Sequence, residues 1–211
     1  MINWKDYIRY TIRDIRSKAV KPISGLWLYC GLYGSGKTLS MTNEAIKASS
    51  KGFSIYSNYG INGQNGNIVS WKDILEVPPN SIICLDEISN LINSRDWKNL
   101  PPEFFSLLTQ NRKLNIRVMA TAQVFEDVDR QFRTLTKYII QCSKFGRVIT
   151  NRFYNQQGYN HTPDKRKLLF KEKYVATDAI YNSYDTMEFI EKLKTTTEYV
   201  REVVKQSFDV F

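Results

Sequence analysis

The sequence predicts an α/β fold with a mostly parallel central sheet and flanking helices. Short, nearly continuous apolar runs alternate along the chain with segments of helical periodicity, as a buried parallel sheet requires. The glycine-rich segment GLYGSGKT, at residues 31–38, joins the first of these runs directly to the first helical segment. Alternation and this loop together predict the fold class.

The chain opens with a predicted basic amphipathic helix within residues 1–22. Lysine and arginine occupy its other faces, and a break at Pro22 and Gly25 ends it. This helix either packs on the domain or docks against a neighbouring subunit. Its apolar residues at helical spacing are Trp4, Ile8, Ile12 and Ile15.

Residues 23–211 are predicted to form one domain, which suits the length of the chain. Its parts are a core at 26–142, a basic aromatic extension at 143–175 that suits a β-hairpin, and a helical tail at 176–211. A turn-rich loop is predicted at 59–67. Strands are predicted at 26–30, 53–58, 82–86, 116–123 and 137–142, and helices at about 37–48 and 103–112.

Composition limits the classes of function. The formal charge of +9 points to nucleic acid as the leading partner, because basic surfaces concentrate polyanions. No apolar run approaches the roughly 18 residues of a membrane span, and the charged N-terminus lacks the apolar region of a secretory signal. We therefore expect a soluble protein without a membrane span.

Cysteine and histidine usage argues against two kinds of site. Cys30, Cys84 and Cys142 lie in apolar runs without metal-ligand spacing, which predicts reduced core thiols. The single histidine, His161, lies in a polar loop and is predicted to be a surface residue. A histidine metal cluster or a Ser/His/Asp triad is therefore not expected.

Residues 31–38 match the pattern GxxxxGK[ST] between a strand and a helix. Glycines let the backbone curl so that amides face phosphate oxygens, and the helix N-terminus adds partial positive charge. We expect ATP here, with Lys37 reaching the β- and γ-phosphates and Thr38 ligating Mg²⁺. The predicted ATP-binding residues are Gly31, Tyr33, Gly34, Ser35, Gly36, Lys37, Thr38 and Leu39.

The strand IICLD is followed by a second acid, giving the pair Asp86 and Glu87. An apolar strand delivers Asp86 to the sheet edge beside the phosphate loop, where it can hold Mg²⁺ through the ion's water shell. Glu87 suits the role of general base for the attacking water. The alternative is an acidic turn facing solvent.

The strand IRVMATAQ ends in Gln123, whose amide can contact the γ-phosphate and the lytic water as a sensor; a plain polar strand end is the alternative. In sequence, one predicted strand lies between the glycine-rich motif and the acidic pair, and the strand that ends in Gln123 follows the acidic pair. This order indicates the additional-strand, catalytic-glutamate class of P-loop NTPases.

Multimeric ATPases commonly supply an arginine from a neighbouring subunit to neutralise charge on the transferred phosphate. Arg112, just before the strand that ends in Gln123, is the first candidate, and Arg130 and Arg133 are the alternatives. Each could instead form an ordinary salt bridge or lie in a solvated helix end.

Residues 137–173 carry nine Lys or Arg against two acids, interleaved with Phe145, Phe153, Tyr154, Tyr159 and Phe170. Such a segment can track a phosphate backbone and stack rings on bases. The competing interpretation is a solvated hairpin with framework aromatics. The DNA-binding candidates are Lys144, Arg147, Arg152, Lys165, Arg166 and Lys167.

With GLYGSGKT, IICLDE and NRKLNIRVMATAQ, the chain resembles the zonular occludens toxin-like ATPases of phages, a branch near the HerA and FtsK translocases. The resemblance covers about residues 26–142, where the serine and asparagine of IYSNYGI also look like the family's second strand, and it extends more loosely to AIYNSYDT near Tyr181. It implies an ATPase working as a pentameric or hexameric ring that moves phage DNA or assembles virions. Filamentous-phage assembly proteins typically continue into a membrane span and a periplasmic part, whereas this chain ends at residue 211.

The resulting hypothesis is an Mg²⁺-dependent ATPase that translocates double-stranded DNA for phage genome packaging. The resemblance places it in the cytoplasm of the infected host cell, or on the capsid at a vertex or portal. Two other hypotheses stay open: a virion-assembly or export ATPase that remodels proteins, and a nucleotide-gated DNA-binding module with little turnover.

Overall fold

The computed structural model describes residues 24–88, 101–160 and 162–185. The described strands are β1 (Gly25–Cys30), β2 (Ser54–Ser57), β3 (Gly60–Ile61), β4 (Gly66–Asn67), β5 (Ser81–Leu85), β6 (Arg117–Ala122), β7 (Thr136–Phe145), β8 (Val148–Tyr154), β9 (Tyr159–Asn160), β10 (Thr162–Pro163), β11 (Phe170–Val175) and β12 (Tyr184–Asp185). The described helices are α1 (Lys37–Ser49), α2 (Trp71–Leu75), α3 (Pro102–Leu114), α4 (Arg130–Leu135) and α5 (Asp178–Tyr181).

Within these residues, eight strands form one sheet in the order β11-β8-β7-β1-β6-β5-β2-β4. The pairs from β7 across to β4 are all parallel, while β8 and β11 add antiparallel strands at one side. The mostly parallel sheet that the sequence predicts is therefore confirmed. Strand β6, which precedes Gln123, lies between β1 and β5.

The core is split by the sheet into two apolar layers. Along β1, Leu26 and Leu28 face one layer, while Trp27 and Tyr29 face the other, because successive side chains of a strand point to opposite faces. Helix α3 contributes Phe104 to the first layer. Helix α1 contributes Met41 and Ala45 to the second. All six strand positions of β1 are buried, as expected for a sheet covered on both faces.

Three parallel strands end at one edge of the sheet, which we call the carboxyl edge. The last residue of β1, Cys30, pairs with Ala122 of β6, and Leu85 of β5 pairs with Ala120. The segments that follow these strands therefore start side by side. They are residues 31–36, residues 86–88 and residues 123–129.

The observed helices extend slightly beyond the predicted ranges. Helix α1 begins at Lys37 as predicted and ends at Ser49, and α3 runs from Pro102 to Leu114. Asn115 ends α3 with a left-handed φ of 55°, a conformation that asparagine tolerates.

The extension after residue 142 is part of the central sheet. The predicted hairpin is formed by β7 and β8, but β7 runs unbroken through residue 142, and β11 pairs with β8. In the described part of the tail, α5 is followed by β12, which pairs with β3, so this part is not one continuous helix.

Some predicted features cannot be compared with the structure, because they fall on residues that it does not describe. The N-terminal helix, His161 and the tail beyond residue 185 lie outside the described ranges. The three cysteines are buried and free, as predicted, and burial raises the pKa of Cys142 to about 12. Among the described residues, no helix is both long and apolar enough to cross a bilayer.

Candidate nucleotide site

The phosphate loop, residues 31–36, lies at the carboxyl edge between β1 and α1. Gly36 has a φ of 84°, a left-handed conformation that only glycine adopts without strain. A Cβ on Gly31 would lie 2.6 Å from the Ser35 Oγ and 2.9 Å from the Cys142 carbonyl oxygen. The loop is therefore a cradle that side chains at these two glycines would close.

Two polar groups inside this cradle fit a phosphate ligand. The Lys37 ammonium donates to the carbonyl oxygens of Gly31 at 2.9 Å and Leu32 at 3.2 Å, which keeps it in the mouth of the loop. The Ser35 hydroxyl is buried, and no described residue hydrogen-bonds it. A phosphate oxygen would satisfy this hydroxyl and attract the ammonium.

The predicted magnesium residues are in direct contact. The Thr38 hydroxyl donates to Asp86 Oδ1 at 2.8 Å, across the gap between α1 and the end of β5. Hydroxyl and carboxylate oxygens are the ligands that Mg²⁺ prefers, so these two residues fit the ion. Burial raises the pKa of Asp86, and hydrogen bonds from Thr121 and Thr38 oppose that rise.

Two further residues hold the acidic pair, and sequence analysis did not assign them this role. Asn58 clamps the backbone of Asp86, accepting from its N–H at 2.7 Å and donating to its carbonyl at 2.9 Å. The Thr121 hydroxyl donates to Asp86 Oδ1 at 2.7 Å and accepts from the N–H of Glu87 at 2.8 Å. Their only sequence signal is a polar residue at or near the end of an apolar strand.

The structure brings Glu87 and Gln123 to one cleft. Glu87 has a φ of 46°, which is uncommon outside glycine and turns its side chain away from the line of β5. The cleft has a volume of about 180 Å³ and is lined by Glu87, Ile88, Ala122, Gln123, Asp127 and Val128. The Gln123 carbonyl also accepts from the N–H of Gly31 at 3.3 Å, which ties this strand end to the phosphate loop.

Replacing Asp86 with asparagine is expected to raise the thermal stability of the nucleotide-free protein near neutral pH. Asparagine can accept both hydroxyl hydrogen bonds without a buried charge. Because burial raises the pKa of Asp86 in the folded state, ionising this carboxyl costs stability above that pKa. The gain in D86N should therefore shrink as the pH falls and vanish below about 3.9, the carboxyl pKa of an unfolded chain.

Thermal unfolding of wild type and D86N, followed by circular dichroism across this pH range, measures the difference. A D86N protein that melts below wild type at pH 7 would contradict the expectation.

The three candidate arginines lie in different environments. Arg112 is exposed near the end of α3, which leads into the start of β6 and therefore lies away from the carboxyl edge. Arg130 is exposed at the first turn of α4, and the Arg133 guanidinium lies over the ring of Phe125 at 5.5 Å. The structure thus leaves Arg112 and Arg130 open to a neighbouring molecule.

The six DNA-binding candidates do not form one surface. Lys144 and Arg147 flank the turn between β7 and β8, and Arg152 hydrogen-bonds Ser143 at 3.0 Å within that strand pair. Lys165, Arg166 and Lys167 form an exposed 3₁₀ turn between β8 and β11, at the opposite ends of these strands.

The aromatic residues of the extension are mostly framework. Phe153, Tyr154 and Tyr159 are buried, and Phe170 stacks on Phe153 with ring centroids 4.2 Å apart. Phe145 is 89% exposed at the hairpin turn. Burial therefore contradicts a base-stacking role for Phe153, Tyr154 and Tyr159, whereas Phe145 is open to a base.

The strand order, the phosphate loop and the helix that begins at Lys37 define a P-loop NTPase fold. No protein-family model and no curated protein sequence matches this chain. Its fold is similar to the N-terminal domain of zonular occludens toxin from Neisseria meningitidis, with a TM-score of 0.58 and 22% identity over 77% of this chain and 99% of that domain.

A second group of similar structures is the genome-packaging NTPase B204. The protein from Sulfolobus Turreted Icosahedral Virus has a TM-score of 0.49 and 10% identity over 72% of this chain and 98% of its own. The protein from Sulfolobus turreted icosahedral virus 2, in complex with ATP-gammaS, has a TM-score of 0.49 and 11% identity over 68% and 99%.

Proposed function

We propose that this chain is an oligomeric, Mg²⁺-dependent ATPase that translocates double-stranded DNA as a phage genome-packaging motor. The observation that carries the proposal is the contact of Thr38 with Asp86 at 2.8 Å, beside a cleft that Glu87 and Gln123 share. This arrangement joins a metal-binding pair to a general base and a polar sensor, which are the parts that phosphoryl transfer to water requires.

Each group has a defined role in hydrolysis. Lys37 and the loop amides bind the β- and γ-phosphates, and Thr38 and Asp86 would hold Mg²⁺, which when bound neutralises phosphate charge. Glu87 accepts a proton from the attacking water, in an orientation supported by the Thr121 contact to its backbone. Gln123 lies at the same cleft, where its amide can contact the water and the terminal phosphate.

The strand order supports the additional-strand, catalytic-glutamate class. Strand β6 is inserted between β1, which leads into the phosphate loop, and β5, which leads into Asp86. Gln123 is therefore located between the two motifs in space although it follows both in sequence.

The charge of the chain supports DNA as the load. The net charge is +9, and three consecutive exposed cations, Lys165, Arg166 and Lys167, offer a compact contact for a phosphate backbone. In a pentameric or hexameric ring, every subunit would carry such a turn. The ring would be located in the infected cell, or at a capsid vertex or portal.

The test is the rate of ATP hydrolysis with and without double-stranded DNA, beside a sizing measurement. Stimulation by DNA in an oligomer supports the packaging motor. Hydrolysis that is indifferent to DNA supports a virion-assembly or export ATPase, and tight ATP binding with very slow hydrolysis supports a nucleotide-gated module. A strictly monomeric protein under all nucleotide conditions would contradict the ring.

The triple variant K165A/R166A/K167A is expected to lose DNA stimulation while keeping DNA-independent hydrolysis. Removing three phosphate contacts should reduce the slope of log affinity against log salt by about 3. The matched control is K171A/K173A, which removes two exposed lysines from β11 of the same extension. Equal DNA affinity and salt slope in the triple variant and wild type would exclude this turn as the contact.

The virion-assembly alternative stays open. The similarity to the zonular occludens toxin domain extends over 99% of that domain and concerns the fold. This alternative shares the same ATPase site and differs in the load, so the DNA-stimulation assay separates the two.

A further inference from the structure

The turn that joins β7 to β8 lies against the phosphate loop. Strand β7 continues beyond the end of β1, since Cys30 pairs with Gln141 and four more residues of β7 follow. A Cβ on Gly36 would lie 3.0 Å from Ile149 Cδ1 and 3.8 Å from Lys144 Cβ. The side chain of Lys144 therefore begins next to Gly36, the last glycine of the phosphate loop.

The position of the metal pair indicates which way a nucleotide runs. Asp86 follows β5, on one side of β1, whereas β7 and β8 lie on the other side. Terminal phosphates near Thr38 and Asp86, the residues that would hold Mg²⁺, would be directed toward β5. The nucleoside and its first phosphate then lie toward Lys144.

The Lys144 side chain is exposed, and its ammonium lies over the ring of Tyr181 at 5.0 Å. This ring is half-buried and packs with Ile149 and with Leu39, two residues after Lys37, in a small apolar cluster. It therefore holds the ammonium near the start of α1. The guanidinium of the neighbouring Arg147 lies over the same ring at 5.9 Å, but it also forms an ion pair with Asp178 at 2.7 Å. Of these two cations, Lys144 is therefore the one that a neutral ring holds, whereas a carboxylate holds Arg147.

We propose that Lys144 is a nucleotide-binding residue that contacts the α-phosphate side of a nucleoside di- or triphosphate. The proposal rests on the proposed ATPase function and deepens it. A charged hydrogen bond from the ammonium to a phosphate oxygen is stronger than its contact with a ring face, so the bound nucleotide competes for the lysine.

The test compares two probes on this chain with Mg²⁺: ADP, and inorganic phosphate, which is a single phosphate group and cannot span from the loop to the α-phosphate position. K144A should weaken ADP binding by at least about tenfold, the effect of losing one hydrogen bond between charged groups. Binding of inorganic phosphate should be unchanged. K144R should retain ADP binding, and K171A is the matched control for loss of one exposed lysine from the extension.

The possible outcomes are distinct. Unchanged ADP affinity in K144A would overturn the inference while leaving the ATPase intact. Equal losses for ADP and inorganic phosphate would also overturn it, because they would indicate a general charge effect rather than a contact near the α-phosphate. A wild-type protein that binds neither probe would overturn both this inference and the proposed function.

Discussion

Replacing Glu87 with glutamine is expected to lower the rate of ATP hydrolysis by about 10² to 10⁴-fold while ATP binding is retained, the range typical of a lost general base. Glutamine keeps the size of the side chain and leaves the backbone contact with Thr121 in place. It cannot accept a proton from water. Steady-state hydrolysis and equilibrium ATP binding, measured on the same preparation, check both parts.

The control for this change is E76Q. Glu76 is exposed after α2, so the same chemical substitution there should leave hydrolysis unchanged. Retention of full turnover in E87Q would show that another group activates the water. Loss of ATP binding in E87Q would show that the glutamate acts on the ground state rather than on the chemical step.

Arg112→Ala is expected to reduce hydrolysis by roughly 10³-fold in the assembled oligomer with ATP binding nearly intact, because an arginine supplied in trans neutralises charge in the transition state. Arg112 is exposed and lies away from the carboxyl edge of its own subunit. It can therefore act only on a neighbour's site. The measurement is hydrolysis as a function of protein concentration, beside sizing of the same samples.

Lys113→Ala provides the matched control, since this exposed cation is adjacent in α3. Full turnover in assembled R112A would exclude Arg112. In that case the same assay on R130A tests the other exposed candidate. Arg133 is the weakest of the three, because the Phe125 ring already packs against its guanidinium.

The central part of the candidate site could be predicted because it depends on local pattern and strand direction. Lys37 and Thr38 belong to one contiguous motif, and Asp86 directly follows an apolar strand. Since parallel strands of one sheet end at the same edge, these residues had to lie near one another once the sheet was parallel. The observed 2.8 Å contact between Thr38 and Asp86 agrees with that reasoning.

The residues that hold Asp86 could not be predicted in the same way. Asn58 and Thr121 are 28 and 35 positions from Asp86, and each is one polar residue at or near a strand end. Their hydrogen bonds depend on the pairing of β2 and β6 with β5, which no local pattern specifies. A shift of one residue in either pairing would turn these side chains to the other face.

The basic aromatic extension is a second region whose role could not be predicted from the sequence. Cations interleaved with aromatics describe equally well a nucleic-acid surface and an edge of a sheet. The rings of Phe153 and Tyr154 are buried because β8 is covered on both faces, and the cations are separated because they lie at opposite ends of the strands. The composition of the segment predicts neither the burial of these rings nor the separation of the cations.

Local periodicity and one glycine-rich motif were thus sufficient for the α/β class, the phosphate loop and the acidic pair, because these depend on neighbours in sequence. The strand order, the clamp on Asp86 and the approach of Lys144 to Gly36 required the folded chain. They are created by pairing between segments far apart in sequence, whose register is set by packing of the whole sheet rather than by any single segment.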